Sequence, residues 1–384
     1  MSDKTVYILG AGFSMNAGAP SQAELIAEMY NLKKPYKKAS HAKVQNWVDR
    51  FDDFLKNTLE VSEVEKMHYT LEDIFTPIDR SISENISFRK HTPKELIELR
   101  DIFNRLIILA VRSAIENSSA SQESIEIFAK HLISLSRQRL IDEKVDRVSI
   151  ITTNWDIMLD NAVHNLMANE SKPKGLSFSG VVDYCCYISS LDKDDHSIKP
   201  GLYAIGKGRY NTKILKLHGS LNWMQCPRCQ RLYVKFYKRW NGGYVFDAKY
   251  CRHCNSNFGS NEEQANLLAP NLIMPTFLKN LNNVQHKLIW QNAGLELSEA
   301  SKVVFLGYSI PQADFEFKQL LSRMIRRDAK IEAVLVAKDN PDIFEKDNSA
   351  RYQTAGYRFK NFFSGRDINI FYEGVSEYIA KNCH

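Results

Sequence analysis

The stretch VYILGAGFSMNAGAPS, residues 6–21, compresses an apolar run, a glycine turn and two chain stops into one short segment. The apolar run ends at Gly10-Ala11-Gly12. Residues 13–17 leave room for one or two helical turns before Gly18 offers a C-terminal cap and Pro20 forbids continuation. Ser21 with Glu24 then reads as a capping box that opens a second helix, QAELIAEMY, 22–30. A short helix directly after the two glycines aims N–H groups and the positive end of its dipole at an anion such as a phosphate, and Ser14 adds a hydroxyl donor. Taken alone, the loop reads equally well as a plain strand-to-helix turn. Its match to the dinucleotide fingerprint G-x-G-x-x-G is incomplete: Met15 stands at the third glycine position, and no acidic residue ends a second strand nearby.

Outward from this loop, short apolar runs recur at 5–9 (TVYIL), 148–152 (VSIIT), 214–217 (ILKL), 303–307 (VVFLG), 331–336 (IEAVLV) and 368–371 (INIF). Most are continuous rather than alternating, as in strands covered on both faces. Helical patterns lie between them, for example 156–167 and 315–327, the latter with Asp314 as its expected N-cap. The alternation predicts an α/β fold with a doubly wound, mainly parallel, Rossmann-like sheet. Two segments interrupt it. From 40 to 142 the chain reads as helix after helix, the longest at 94–117, which predicts a helical insert; the polar region 224–262 carries two cysteine pairs. The expected organisation is a nucleotide-binding domain of residues 1–39 and 143–384, the insert 40–142, and a small module 224–262 within the domain.

Ligands of open α/β sheets bind outside the carboxyl ends of the strands, and two such ends carry polar clusters. In ITTNWD (151–156), Asn154 and Asp156 either bond ribose hydroxyls and hold a water, or cap the following helix. In ILKLHGSLNW (214–223), His218 is either a structural histidine or a general base, and its place at a strand end favours the base. The pairs CPRC (Cys226, Cys229) and CRHC (Cys251, Cys254) are separated by 21 residues, close to zinc-ribbon spacing. Four thiolates complete a tetrahedral Zn²⁺ and leave no open position, so the predicted zinc is structural.

Composition narrows the class further. The chain has 384 residues, 44% hydrophobic and 25% charged, enough for one large core or two smaller ones. No run approaches the roughly 20 apolar residues of a membrane span, and the N-terminus lacks a leader pattern, so the expected location is cytoplasmic with no membrane association. The net charge of +6 is mild; the basic runs 33–38 and 323–327 read as solvated faces and indicate nucleic acid only weakly.

In order along the chain, Gly10-Ala11-Gly12-Phe13-Ser14, Thr152-Thr153-Asn154-Trp155-Asp156, His218-Gly219 and the four cysteines resemble the sirtuin family, with its Gly-Ala-Gly-x-Ser loop, T-Q-N-x-D strand end, His-Gly pair and zinc ribbon. VVFLGYS (303–309) looks like the family's later strand, which implies that Gly307 and Ser309 lie near the nicotinamide ribose or phosphates of NAD. The resemblance implies that Gly10, Ala11, Gly12 and Ser14 hold the pyrophosphate, Asp156 orients a ribose, Asn154 positions the nicotinamide ribose or a water, and His218 is the base. Three departures bear on activity. Gly18-Ala19-Pro20-Ser21-Gln22-Ala23 replaces the deacylases' Gly-Ile-Pro-Asp-Phe-Arg, Thr153 replaces a glutamine, and MPTF (274–277) stands where a Trp-Phe-Gly-Glu segment borders the acyl-lysine channel.

With the helical insert around LEDIFTPID (71–79), the pattern looks more like the sirtuin-like NAD hydrolases of bacterial anti-phage defence, which deplete NAD. Within that group it is similar to the subunit that assembles with a HerA-type hexameric ATPase, and this implies a homo-oligomer. The competing expectations are a protein deacylase using the same pocket, and a non-catalytic subunit that senses nucleotides or binds nucleic acid.

Overall fold

The computed structural model describes residues 3–32, 41–170, 179–193, 195, 197–198, 204–205, 208–236, 249–258, 266–279, 281–345 and 348–383. Eleven strands are present among them: β1 Thr5–Leu9, β2 Val148–Thr152, β3 Gly180–Asp183, β4 Ile188–Ser190, β5 Tyr210–Lys216, β6 Gly219–Gln225, β7 Leu232–Val234, β8 Ala269–Leu272, β9 Lys302–Leu306, β10 Lys330–Val334 and β11 Ile368–Phe371. The helices are α1 Ala11–Met15, α2 Leu25–Asn31, α3 His41–Asp53, α4 Leu71–Glu84, α5 Pro93–Asn117, α6 Glu123–Ser136, α7 Met158–Ala168, α8 Arg252–Phe258, α9 Val284–Glu299, α10 Phe315–Met324, α11 Ala350–Gln353, α12 Ala355–Phe362 and α13 Val375–Asn382.

The apolar runs become strands, buried in all but one case: β11, at the edge of the sheet, is half-buried, with Asn369 exposed. β1 pairs in parallel with β2 on one side and β9 on the other, so that Leu9 lies opposite both Thr152 and Leu306. The seven strands run in the order β11-β10-β9-β1-β2-β5-β3, every pair parallel. The chain winds outward from β1 through β2 and β5 in one direction, and from β9 through β10 and β11 in the other. β1 is therefore the switch point, and the cleft at its carboxyl end is where such sheets bind ligands. The expected doubly wound sheet is present, with two adjustments: the run 331–336 stops pairing as a strand at Val334, and β3 joins the edge beyond β5. Gly180 opens β3 because a Cβ there would lie 2.6 Å from the Tyr210 ring.

A second sheet, β4-β7-β6-β8, carries the cysteine region, with β4 parallel to β7 and the other pairs antiparallel. It is packed on both sides: Met224, Cys226, Tyr233 and Cys254 are buried in the same cluster as Phe51, Phe75 and Phe103 of the helical layer, while Ile188, Trp223, Leu232 and Val234 belong to the core of the large sheet. Phe103 is the centre of that cluster, its ring 5.0 Å from Phe51 and 5.4 Å from Phe54, edge-on to both. α5 starts where the sequence commands it: the Thr92 N–H donates to Glu95 Oε2 at 2.8 Å, and Pro93 follows at the first helical position.

The helical layer differs from the expected insert 40–142 at both ends. α2 leaves the sheet domain and packs with the layer. α6, inside the expected insert, packs on the sheet, where Phe128 lies 5.1 Å from the Tyr7 ring and 5.4 Å from that of Phe13. Among the described residues no helix is long and apolar enough to cross a membrane. The basic run 33–38 lies outside the described residues, as do parts of the range 224–262. In the run 323–327, Arg326 pairs with Asp328, and Arg366 donates to the carbonyls of Arg326 and Arg327.

Candidate functional site

The loop after β1 folds as its sequence dictates. α1 lasts one turn, Gly18 takes φ +95°, and Ala19 N donates back to Ser14 O at 3.1 Å. Ser21 and Glu24 form the capping box, with Ser21 N donating to Glu24 Oε2 at 2.7 Å. The glycines serve close packing first. A Cβ on Gly10 would stand 2.5 Å from Tyr308 Cα and 2.7 Å from Gly307 O; one on Gly12 would stand 2.9 Å from Gly307 Cα. Gly307, at φ +62°, continues β9 directly under this loop. The N–H groups of Gly10, Gly12 and Phe13 are spent on Leu306 O (3.1 Å), Gly307 O (3.0 Å) and Gly10 O (2.9 Å), which leaves Ala11 as the residue of this loop whose N–H is not engaged in these bonds.

Above this double loop lies a cavity of about 560 Å³, within the roughly 300–1,000 Å³ typical of small-molecule sites. It opens at the carboxyl ends of β1, β2, β5, β9 and β10 and is lined by Ala11, Gly12, Asn154, Asp156, His218 and Ser309, among others. Its outer wall comes from the helical layer, through Glu72 of α4 and Val111 of α5. Glu72 is held by Gln22, whose Nε2 donates to its carboxylate at 2.7 and 2.8 Å.

Asn154 bridges the two sides of the switch point: its Nδ2 donates to Gly10 O at 2.8 Å and lies 3.4 Å from Ser14 Oγ. Asp156 does two jobs that sequence reading posed as alternatives. It lines the cavity, and its Oδ1 accepts the Met158 N–H at 3.1 Å at the start of α7. Burial pushes its carboxyl up; the Lys216 ammonium, the Met158 N–H and the Ser14 hydroxyl pull it back without cancelling the rise. Lys216 is itself buried, its Nζ donating to Asp156 O at 2.6 Å and to Asp160 Oδ2 at 3.1 Å. Ser14 departs from the expected role of phosphate donor: it is 1% exposed, does not line the cavity, and its hydroxyl serves Asp156 and Asn154. Gly10 likewise sits beneath the cavity rather than on its wall.

His218 follows β5, where Leu217 N donates to Thr152 O at 2.9 Å and keeps the strand ends in step. Gly219 turns the chain at φ +74° into β6. The imidazole is buried, hydrogen-bonds the backbone of Thr153, and leaves Nε2 with no hydrogen-bond partner. Burial lowers its proton affinity, Asp314 raises it, Lys279 lowers it, and the net shift is downward. The downward shift favours the neutral ring, the form a base needs.

Asp314 corrects a sequence expectation. It stands at the N-cap position of α10, but its side chain makes no capping bond. Its Oδ2 instead accepts the Tyr308 hydroxyl at 3.1 Å, and its Oδ1 faces His218 Nε2 at 3.7 Å and Lys279 Nζ at 3.5 Å. Nothing in the sequence distinguishes this aspartate from a cap, and Lys279 carries no local signal.

The four cysteines meet as their spacing predicts. Their Sγ atoms lie within 4.8 Å of one another, with Cys226–Cys254 at 3.8 Å and Cys229–Cys251 at 3.6 Å. Zn–S bonds of about 2.3 Å in a tetrahedron give sulfur–sulfur edges of about 3.8 Å, so the cage fits zinc. All four positions belong to protein, and the cage is built into the core beneath β6 and β7, which makes the fitting ion structural.

No family model matches the chain, and none of the curated proteins matches it. Among solved structures, a Sir2–p53 peptide–NAD⁺ complex is 15% identical, covering 99% of this chain and 92% of that one with a TM-score of 0.37. A sirtuin solved to explain substrate affinity is 16% identical over 99% and 93% of the two chains, TM-score 0.38. A Sir2 enzyme solved for mechanism and regulation is 13% identical over 100% and 92%, TM-score 0.39. A likeness that low carries no argument about chemistry, which rests on the residues above.

Proposed function

We propose that the protein is an NAD glycohydrolase, cleaving NAD⁺ with water to nicotinamide and ADP-ribose. The observation that carries this reading is the convergence of a buried histidine with an unpartnered Nε2, an asparagine, a carboxylate and a glycine double loop on one cavity at the sheet's switch point. The Ala11 N–H and the bare surface of Gly12, with Gly307 and Ser309 opposite, would take the pyrophosphate and the adjoining ribose. Asp156 would accept from a ribose hydroxyl. Asn154, held to Gly10 O, would fix the nicotinamide ribose or the water with its remaining amide oxygen. The glycosidic C–N bond breaks through a cationic, oxocarbenium-like transition state, and its electron pair leaves with nicotinamide. Water oxygen bonds to the anomeric carbon, and its proton goes to His218 Nε2.

We prefer hydrolysis to peptide deacylation because MPTF (274–277) replaces the segment that the sequence resemblance places along the acyl-lysine channel. The Phe277 N–H donates to Thr76 Oγ1 of α4 at 3.3 Å, tying the segment after Met274 to the helical layer where the resemblance expects a border of the acyl-lysine channel. We infer further, on the sequence resemblance alone, that the reaction serves anti-phage defence by NAD depletion, in a homo-oligomer paired with a HerA-type hexameric ATPase.

The test is nicotinamide release by the purified chain and its His218→Ala and Asn154→Ala variants. Each substitution is expected to lower the rate by about 10²-fold or more, the scale of a lost general acid–base group, with folding retained. Full activity in both variants would overturn the assignment.

A further inference from the structure

His218 Nε2 and Asp314 Oδ1 face each other across 3.7 Å, both on the wall of the cavity. That separation is too long for a direct hydrogen bond, so the carboxylate acts on the ring through charge. Asp314 is not free to swing closer. Tyr308, itself buried against the glycine loop, donates to its Oδ2 at 3.1 Å. On the other side stands Lys279, whose side chain is 1% exposed and whose Nζ donates to Ala313 O at 2.6 Å and Glu316 Oε2 at 3.0 Å, and lies 3.5 Å from Asp314 Oδ1. A buried ammonium held this tightly by a backbone carbonyl and two carboxylates makes a fixed cation at a fixed distance behind the aspartate. The other titratable group against the ring is His286, buried, pushed down to about 4 by burial and by His218, and bonded through Nε2 to Asn271 Oδ1 at 2.7 Å. It is neutral at working pH and leaves Asp314, Lys279 and Glu316 as the charges His218 feels.

We propose that Asp314 and Lys279 are paired positioning residues, a carboxylate 3.7 Å from His218 Nε2 and an ammonium 3.5 Å from that carboxylate, which together set the charge against which this imidazole takes up and gives back a proton. The proposal rests on the glycohydrolase reading for its purpose, but the charge arrangement stands independently of it. When water's proton reaches Nε2, the new imidazolium lies 3.7 Å from a carboxylate whose charge is partly balanced by Lys279, so the proton is stabilised during bond formation and released afterwards.

The two residues act on His218 with opposite sign, and this makes the proposal testable without reference to turnover. The ring titration of His218 would be followed by NMR in the full chain, its resonance assigned by loss in His218→Gln. Asp314→Asn keeps the acceptor for Tyr308 and removes the charge; Lys279→Met keeps the stem and removes the charge. The first is expected to lower the His218 titration midpoint by about one unit, the low end of what a charge at roughly 4–6 Å produces, and the second to raise it by less, because Lys279 acts from beyond the carboxylate. The acid limb of nicotinamide release should move the same way, to lower pH in Asp314→Asn and to higher pH in Lys279→Met. A midpoint that stays put in both variants, or moves in the same direction in both, overturns the proposal even if activity falls. If the parent chain releases no nicotinamide, the functional reading fails while the ring titration still decides this one.

Discussion

Gly307→Ala probes the joint on which the site is built. At φ +62° an alanine costs about 1–2 kcal/mol from backbone conformation alone. Its Cβ would also collide with the Gly12 carbonyl carbon and Phe13 N, and stand 2.7 Å from Gly12 Cα; these are backbone atoms that no rotamer change can clear. Overpacking of this kind adds about 1–3 kcal/mol, for a total of about 2–5 kcal/mol. Gly208 supplies the control: it has nearly the same dihedral, φ +64°, but a Cβ there meets nothing within 4 Å. The conformational term and the altered entropy of the unfolded chain are common to both substitutions, so the difference between them isolates the contact of the two loops. Urea unfolding of Gly307→Ala and Gly208→Ala should therefore differ by about 1–3 kcal/mol, and nicotinamide release should fall in the first and persist in the second. Equal stability losses would refute the close approach of β9 to the glycine loop.

Metal analysis of the purified chain should find one zinc per chain; Cys229→Ser or a strong chelator should release it and unfold the β6–β7 region together with the helical layer that shares its core, with normal stability and zinc content in the variant counting against the cage. Asp146→Asn should destabilise the fold at pH 7 by about 1.5–3 kcal/mol, because it strips a charged partner from Lys4 (2.8 Å) and Lys213 (2.6 Å), both of which keep Glu296. Burial pushes the Asp146 carboxyl up, but the two lysines outweigh it and hold it well below the ordinary carboxylate range. A depressed folded value means that the stabilisation is complete above the unfolded value of about 3.9 and is lost as pH falls below it, so the gap between parent and variant should close progressively in acid; a gap independent of pH would refute the assignment.

What the sequence made legible follows from how far each signal reaches. β1, β2, β9 and β10 are buried on both faces, and a continuous apolar run has few other readings; β3 and β4, of four and three residues, are too short to show a period. α6 was legible as a helix but not as a helix of the sheet, because an apolar stripe does not name the surface it meets, and only Phe128 against Tyr7 and Phe13 decides that. The cysteine cage was legible because ligand spacing is itself the geometric requirement. Gly10 and Gly12 were recognisable as a turn, whereas their packing on Gly307, nearly 300 residues away, depends on the parallel pairing of β1 with β9. Asp314 reads as a cap for the same reason: a residue just before a helix looks like its cap until the fold supplies Tyr308 as a hydrogen-bond donor and brings His218 and Lys279 to face the carboxylate.

The measurement that bears most directly on the central claim is nicotinamide release from NAD⁺ by the purified chain, with and without an acetyl-lysine peptide, alongside His218→Ala. The site predicts release that is unchanged by the peptide and falls by about 10²-fold or more in the variant. Release that requires the peptide, or that survives loss of the imidazole, would contradict it.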